Sequence, residues 1–335
     1  MTTYKEISGQ LIRTLSSDPA NPLEGQIWYN STIGVLKGYR SIGGVWASGG
    51  NLNTSRGFIG GFGTQTAGLA FGGSPYVNAT EEYNGSGWAT GGNLNTTRAP
   101  YAKGGFGTQT AGVAVGGYTG TTTTNSTENY DGSSWTASTA YPASYLGIGG
   151  AGTQTAGLAF GGAPTNPYPG QATTNKFDGT TWTSTGSLNT ARLAIGGAGT
   201  QTAGLGFGGF PNGPASASNA TEEFDGSSWT TGNTMPTSVG GMAGWGTQTS
   251  ALSGGGSTPT FFGSPGLNTT MIYDGTTWST PSATLATTRG GLGGAGTDGN
   301  SGVAFGGKTP APAYVGTTEE YNDPTFATVT LDTTT

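Results

Sequence analysis

Along most of the chain, short apolar runs alternate with polar turns at a nearly fixed beat. The stretch "GTQTAGLAFGG" at 63–73 returns unchanged at 152–162, and its variants start at Gly107, Gly199, Gly246 and Gly296. Within it Leu69 and Phe71 fall on one side of a pleat and Gly68, Ala70 and Gly72 on the other, because successive strand residues face opposite ways. One face is bulky and the other nearly bare. Turn residues divide the unit 56–97 into four short strands, about 58–63, 67–71, 79–83 and one starting at Trp88. A second rhythm runs in parallel: Trp88, Trp135, Trp182, Trp229 and Trp278 each lie five residues after a Tyr or Phe. An earlier copy stands at Trp46, and the next beat falls on Phe326.

A repeat of this length built from four strands predicts an all-β fold, a ring of small sheets stacked face to face with bulky side chains of one lying on the bare face of the next. Six pairs of first and second strands imply a six-bladed β-propeller. Seven copies of the Trp or Phe position imply closure by overlap, with the segment around Trp46 entering the blade that Phe326 completes or flanking it. A seventh, partial blade from 26–50 is the alternative. The fifth unit, "GWGTQTSALSGGG", has Gly254 where others have Phe or Val, and Trp245 where others have Phe or Ala. Since cores reach close packing, the Trp245 ring is expected to fill the space of the missing Phe.

Composition changes the picture in two ways. Gly makes up 67 of 335 residues and charged residues only 8%, a bias that would fit a disordered polymer. The 8 Trp, 14 Tyr and 13 Phe argue against that, because disordered segments are poor in aromatics. The absence of His and Cys removes the usual general base, thiolate chemistry and the Ser-His-Asp and Cys-His constellations. No cofactor and no metal site is expected. The net charge of −6, with 11 Lys and Arg and no basic run, speaks against a nucleic-acid partner. No apolar stretch has the length of a membrane span or a secretory leader.

The Gly-Gly after a short apolar strand, the Tyr or Phe, the Trp five residues on, and an Arg before the next unit (Arg56, Arg98, Arg192, Arg289) resemble the kelch repeat over about 46–331. The Arg is missing before the third and fifth units. The resemblance implies strand 1 innermost and strand 4 outermost. The "DGTTW" and "DGSSW" segments are similar to the Asp-box of sialidases but lack its spacer, and read as strand 3–4 turns. Copper oxidase chemistry known in one kelch-type family needs His and Cys, which this chain lacks.

Strand order places the 1–2 and 3–4 turns on one face and the 2–3 and 4–1 loops on the other. The first face is uniform: Gln65, Gln109, Gln154, Gln201 and Gln248 recur, with Asp298 in the last unit, and read as turn chemistry. The second varies, and each 2–3 loop carries an aromatic: Tyr76, Tyr118, Tyr168, Phe210, Phe261 with Phe262, and Tyr314. Such rings stack on sugars, and these residues are the candidate binding site; the competing reading is that they pack their own loops. Glu81-Glu82, Glu222-Glu223 and Glu319-Glu320 recur at one strand-3 position. Neighbours on a strand point to opposite faces, so they form no catalytic pair, and a solvated position is expected. No catalytic residue is assigned.

Residues 1–45 lie outside the rhythm and read as an anchoring arm, with the propeller over 46–335. Glu24 to Lys37 reads as a hairpin with "NSTIG" as its turn. "YKEI" at 4–7, "DPANPLEGQIWYNST" at 18–32 and "LKGY" at 36–39 resemble the opening of virion structural proteins of marine tailed bacteriophages, many of which continue into Gly-rich kelch-like repeats. That resemblance implies a non-enzymatic fibre, appendage or capsid-decoration subunit, assembled in the host cytoplasm and exposed on the particle. The arm, with Tyr4, Ile7, Trp28 and Tyr29, would dock on other virion proteins by strand addition. The subunit is expected to be oligomeric in the particle, with the variable face meeting host surface glycan or a neighbouring protein. A carbohydrate-active propeller enzyme and a cellular kelch scaffold are the rival classes.

Overall fold

The computed structural model describes residues 12–19, 26–40, 44–165, 167–211, 213, 216–259, 266–311, 313–323 and 327–331. The chain forms two compact units, Val45–Asn322 and, separately, Met1–Gly44 with Asp323–Thr335. Among the described residues the regular structure is entirely β.

The larger unit holds six antiparallel sheets, and it is a β-propeller. In the first sheet Gly60–Gly63, Gly68–Phe71, Thr80–Tyr83 and Trp88–Thr90 pair in sequence order. These bounds agree with the turn-delimited strands read from the sequence. The first strands of the sheets are Gly60–Gly63, Gly105–Thr108, Leu146–Thr153, Gly196–Gly199, Ala243–Gly246 and Gly293–Asp298. Each contacts the next, and the last returns to the first, so the inner strands close a ring.

The seam is at the sixth sheet. Its outer strand is Val45–Ser48, with Trp46 opposite Tyr321. Phe326 lies outside the described residues, and the strand that follows it, Ala327–Thr330, pairs with Val35–Arg40 in the smaller unit. Trp46 occupies the outer slot of the sixth sheet, and the last described strand, Ala327–Thr330, belongs with the arm and not with the propeller. The expected boundaries of 1–45 and 46–335 shift accordingly.

The bulky face of each sheet packs on the bare face of its neighbour. Leu69 and Phe71 join Tyr130 and Trp135 of the second sheet in one buried cluster. A methyl group at Gly112 would lie 2.2 Å from the Phe62 ring, which is why that face stays bare. Trp245 is fully buried as expected, but it lies over Gly302 of the sixth sheet, where an added methyl would come within 2.1 Å of it. The space left at Gly254 is met by the edge of Trp46, whose ring stands 6.1 Å from Trp245 in a T-shaped pair. Two tryptophans thus fill what one Phe and its partner fill elsewhere.

Three sets of polar bonds tie sheet to sheet. Trp88, Trp135, Trp229 and Trp278 donate their indole N–H to Thr318, Thr80, Thr174 and Thr221 of the preceding sheet, each at 2.9 Å. Gln109 donates to the carbonyls of Gly68 and Tyr83, and Gln154, Gln201 and Gln248 repeat this clasp. The hydroxyls of Tyr83, Tyr130 and Tyr273 donate to Glu320, Glu82 and Glu223.

The first glutamate of each pair is not solvated. Glu81, Glu128, Glu222 and Glu319 are buried and form ion pairs with Arg56, Arg98, Arg192 and Arg289, which are fully buried as well. Their strand-3 side chains point beneath the 4–1 loop, where main-chain N–H groups of Asn53, Asn95, Asn189 and Ala286 also donate to them. The third and fifth sheets lack the arginine and the glutamate together. In the fifth, Val239 and Met271 occupy these places and share one apolar cluster.

In the smaller unit, Ile27–Asn30 and Val35–Arg40 form the expected hairpin about a turn at 31–34. Arg13–Leu15 pairs parallel to the first of these. Asp18 gathers the unit: it accepts from Trp28 at 3.1 Å, from Asn30 at 2.9 Å and from Lys37 at 2.6 Å. The Lys37 ammonium, more than the other partners, holds its carboxyl below the usual range.

Candidate functional site

The variable face is organised by the backbone where each 4–1 loop enters its inner strand. Six residues there, Phe58, Tyr101, Gly147, Ala194, Gly241 and Gly291, have positive φ between 51° and 68°. Each N–H donates to a carbonyl of the sheet before it. Phe58 donates to Gly291, Gly291 to Gly241, Gly241 to Ala194, Ala194 to Gly147, Gly147 to Pro100 and Tyr101 to Phe58, at 2.7–3.2 Å. The bonds form a closed ring about the axis. Three positions use Gly, the residue that takes this conformation without strain. Phe58, Tyr101 and Ala194 do not, and strain of this kind gathers where surrounding structure, or function, demands it.

The demand is an aromatic cluster seated on that ring. Phe58, Tyr101, Leu193, Ala194 and Phe210 are buried in it, with Tyr118, Tyr168 and Tyr314 packed against them. Phe58 and Tyr101 stack at 4.6 Å, Tyr76 meets Tyr118 edge-on at 5.6 Å, and the Tyr76 and Tyr101 hydroxyls lie 3.3 Å apart. The Tyr314 hydroxyl donates to Ser74 at 2.7 Å. Tyr168 also takes a positive φ, so every non-glycine residue with that conformation among those described belongs to this cluster. Burial pushes the Tyr101 hydroxyl well above the ordinary tyrosine range, helped by its bond to Tyr76, and burial also raises Tyr168. These hydroxyls stay protonated and able to donate at any physiological pH.

The described loop aromatics, Tyr76, Tyr118, Tyr168, Phe210 and Tyr314, thus meet at one place, but they differ in what they offer. Tyr76 is the most exposed, at 37%. Tyr118, Tyr168 and Tyr314 are half-buried. Phe210 is fully buried and presents no face to a ligand; it packs the cluster from below. Phe261 and Phe262 lie outside the described residues, as do Tyr4 and Ile7 of the arm. Trp28 is fully buried, whereas Tyr29 and Ile33 are exposed. Sequence reading missed Phe58 and Tyr101. Their signal was present: they are bulky residues in a slot that three other units fill with Gly. An open hollow of about 610 Å³ flanks Tyr168, lined by Pro167, Pro169, Gly170, Asn189, Thr190 and Pro211.

On the opposite face the turn aspartates are engaged by their own loops. Asp131, Asp178, Asp225 and Asp274 each accept main-chain N–H bonds from the two residues at the end of their own turn. The Ser134 and Ser133 N–H groups and the Ser133 hydroxyl bring Asp131 down to about 2, and the same cause lowers Asp178 and Asp225 further. The recurring glutamines are bound to the neighbouring sheet, as described above. Among the described residues there is no group of three or more acidic side chains placed to hold a metal ion.

No protein-family model matches the chain, and neither does any curated protein. Among solved structures it is similar to one described as the structure of YjhT, a kelch-type propeller, with a TM-score of 0.69 and 13% identity over 84% of this chain and 100% of that one. At that identity the likeness establishes the propeller fold.

Proposed function

We propose that the protein is a non-enzymatic structural and adhesion subunit of a bacteriophage particle. In this reading its small terminal unit anchors it to other virion proteins, and the aromatic centre of the variable face binds host surface glycan or a neighbouring protein. One observation carries the non-enzymatic part: every Asp and Glu between Val45 and Asn322 already has a scaffold partner. The first glutamates are held by arginine, the second accept from tyrosine, and the aspartates cap their turns. An acid or base for glycosyl transfer needs a carboxyl placed at the substrate with a tuned pKa. Apart from Lys308, what remains at the variable face is ring faces, hydroxyls and amides, a chemistry of stacking and hydrogen bonding. The virion assignment is supported by the resemblance of 4–39 and by the pairing of both terminal segments in one sheet apart from the propeller.

Mass spectrometry and antibody labelling of purified particles test the virion assignment; a chain found in the lysate but absent from particles overturns it. A glycan array with the purified protein tests the face. Binding that survives joint replacement of Tyr76, Tyr168 and Tyr314 by Ala rejects the site, and release of shortened sugars from a bound glycan rejects the non-enzymatic reading.

A further inference from the structure

The inner strands enclose an axial cavity of about 180 Å³. Its wall is the start of the 1–2 turns, with Gly63, Gly107, Gly152, Gly199, Gly246 and Gly296 spaced around it. At the other end of the inner strands lie the ring of main-chain bonds and the aromatic cluster. The glycines and threonines of its lining belong to the 1–2 turns, so the cavity is a pit toward the uniform face.

One charged group stands in it. Seven residues separate Arg56, Arg192 and Arg289 from Gly63, Gly199 and Gly296, but nine separate Arg98 from Gly107. The second sheet's entry is thus two residues longer than its counterparts, and that entry carries Lys103 to the axis. Its ammonium donates to the carbonyl of Gly197, on the inner strand two sheets away, at 3.0 Å. Of the described residues lining the cavity, Lys103 alone titrates, and no carboxylate pairs with it. The four buried arginines each have a glutamate, whereas the half-buried Lys103 has none, and a partly desolvated charge without a counter-charge is costly. The ammonium has three N–H donors, of which the Gly197 carbonyl takes one.

We propose that this pit binds one small anion, a carboxylate or an inorganic oxyanion, with the Lys103 ammonium as its counter-charge and Thr64, Thr108 and Thr297 lining the same space. Partial burial in the cavity brings Lys103 down to about 8, which leaves it charged at neutral pH. The aromatic walls of Phe62 and Phe106 limit the occupant to a compact one.

Isothermal titration calorimetry on the intact protein, with sodium acetate in one arm and sodium sulfate in the other in a low-chloride buffer, tests the site. Saturable one-site binding at pH 7 is expected, at least tenfold weaker at pH 9.5 and absent in Lys103→Met, which keeps the apolar stem. Binding by acetate alone assigns a carboxylate, and by sulfate alone an oxyanion. Binding by neither, or binding that persists in Lys103→Met, overturns the proposal. Should that variant fail to fold, the lysine amine of the parent protein followed by NMR decides: its titration midpoint moves up when the anion is added, and an unmoved midpoint counts against the site.

Discussion

The fourth and fifth sheets stand side by side and solve one packing problem in opposite ways. Beneath the entry loop of the fourth, Arg192 and Glu222 form a buried ion pair at 2.8 Å, and the arginine also donates to the carbonyls of Gly208 and Ala220. Beneath that of the fifth, Val239 and Met271 make an apolar contact in the same cluster. Both are fully buried. The lesson is that the pair is a unit: the scaffold accepts either kind of filling but not half of one. Removing one member of a buried ion pair strands the other in a place where water cannot reach it, whereas an apolar pair of similar volume needs no partner.

That comparison is most exposed to breaking by single against double replacement. Arg192→Met should cost about 3–5 kcal/mol in urea unfolding, and Arg192→Val with Glu222→Met, copying the fifth sheet, should return to within about 2 kcal/mol of the parent. A double variant as unstable as the single would show that the arginine's carbonyl bonds, and not its charge, hold the loop.

Lys103 extends the contrast to a charge that has no glutamate. Its folded value of about 8 lies below the 10.5 of an unburied lysine, so between these pH values the unfolded chain carries more protons. Stability should rise through that window by up to about 3 kcal/mol, and Lys103→Met should flatten the rise. The measurement belongs below pH 10, because Tyr83, Tyr130 and Tyr273, whose hydroxyls burial holds upward, act in the opposite sense above it.

Next in size is Gly302→Ala, which sets a methyl against the Trp245 ring and should cost about 1–3 kcal/mol. The smallest effects concern the glutamine clasp. Gln109→Ala removes two bonds to the preceding sheet and should cost about 1–2 kcal/mol. Asp298→Gln, which supplies the clasp where the repeat lacks it, should gain a fraction of that in thermal unfolding.

What could be read in advance follows from how far apart the cooperating residues are. Strand bounds, the alternation of Leu69 and Phe71 and the burial of Trp245 rest on neighbours within one unit, and periodicity exposes them. The ion pairs join residues about thirty positions apart, and their signal was a joint absence: the units without the arginine are also those without the glutamate. The aromatic cluster draws on the first, second, third, fourth and sixth units at once. The loop aromatics read alike as one binding face, and only the convergence of five units on one cluster turns Phe210 into packing and leaves Tyr76 at the surface. Lys103 was hidden in two extra residues that look like ordinary loop variation until the entries are aligned by their arginines.

The seam has a consequence for synthesis. Val45–Ser48 leaves the ribosome some 270 residues before its partner, Thr318–Asn322. At roughly 5–20 residues per second the early strand waits on the order of tens of seconds with an unpaired edge. Until that partner emerges, the nascent propeller is an open arc with two raw ends, each able to capture the wrong neighbour on a crowded polysome.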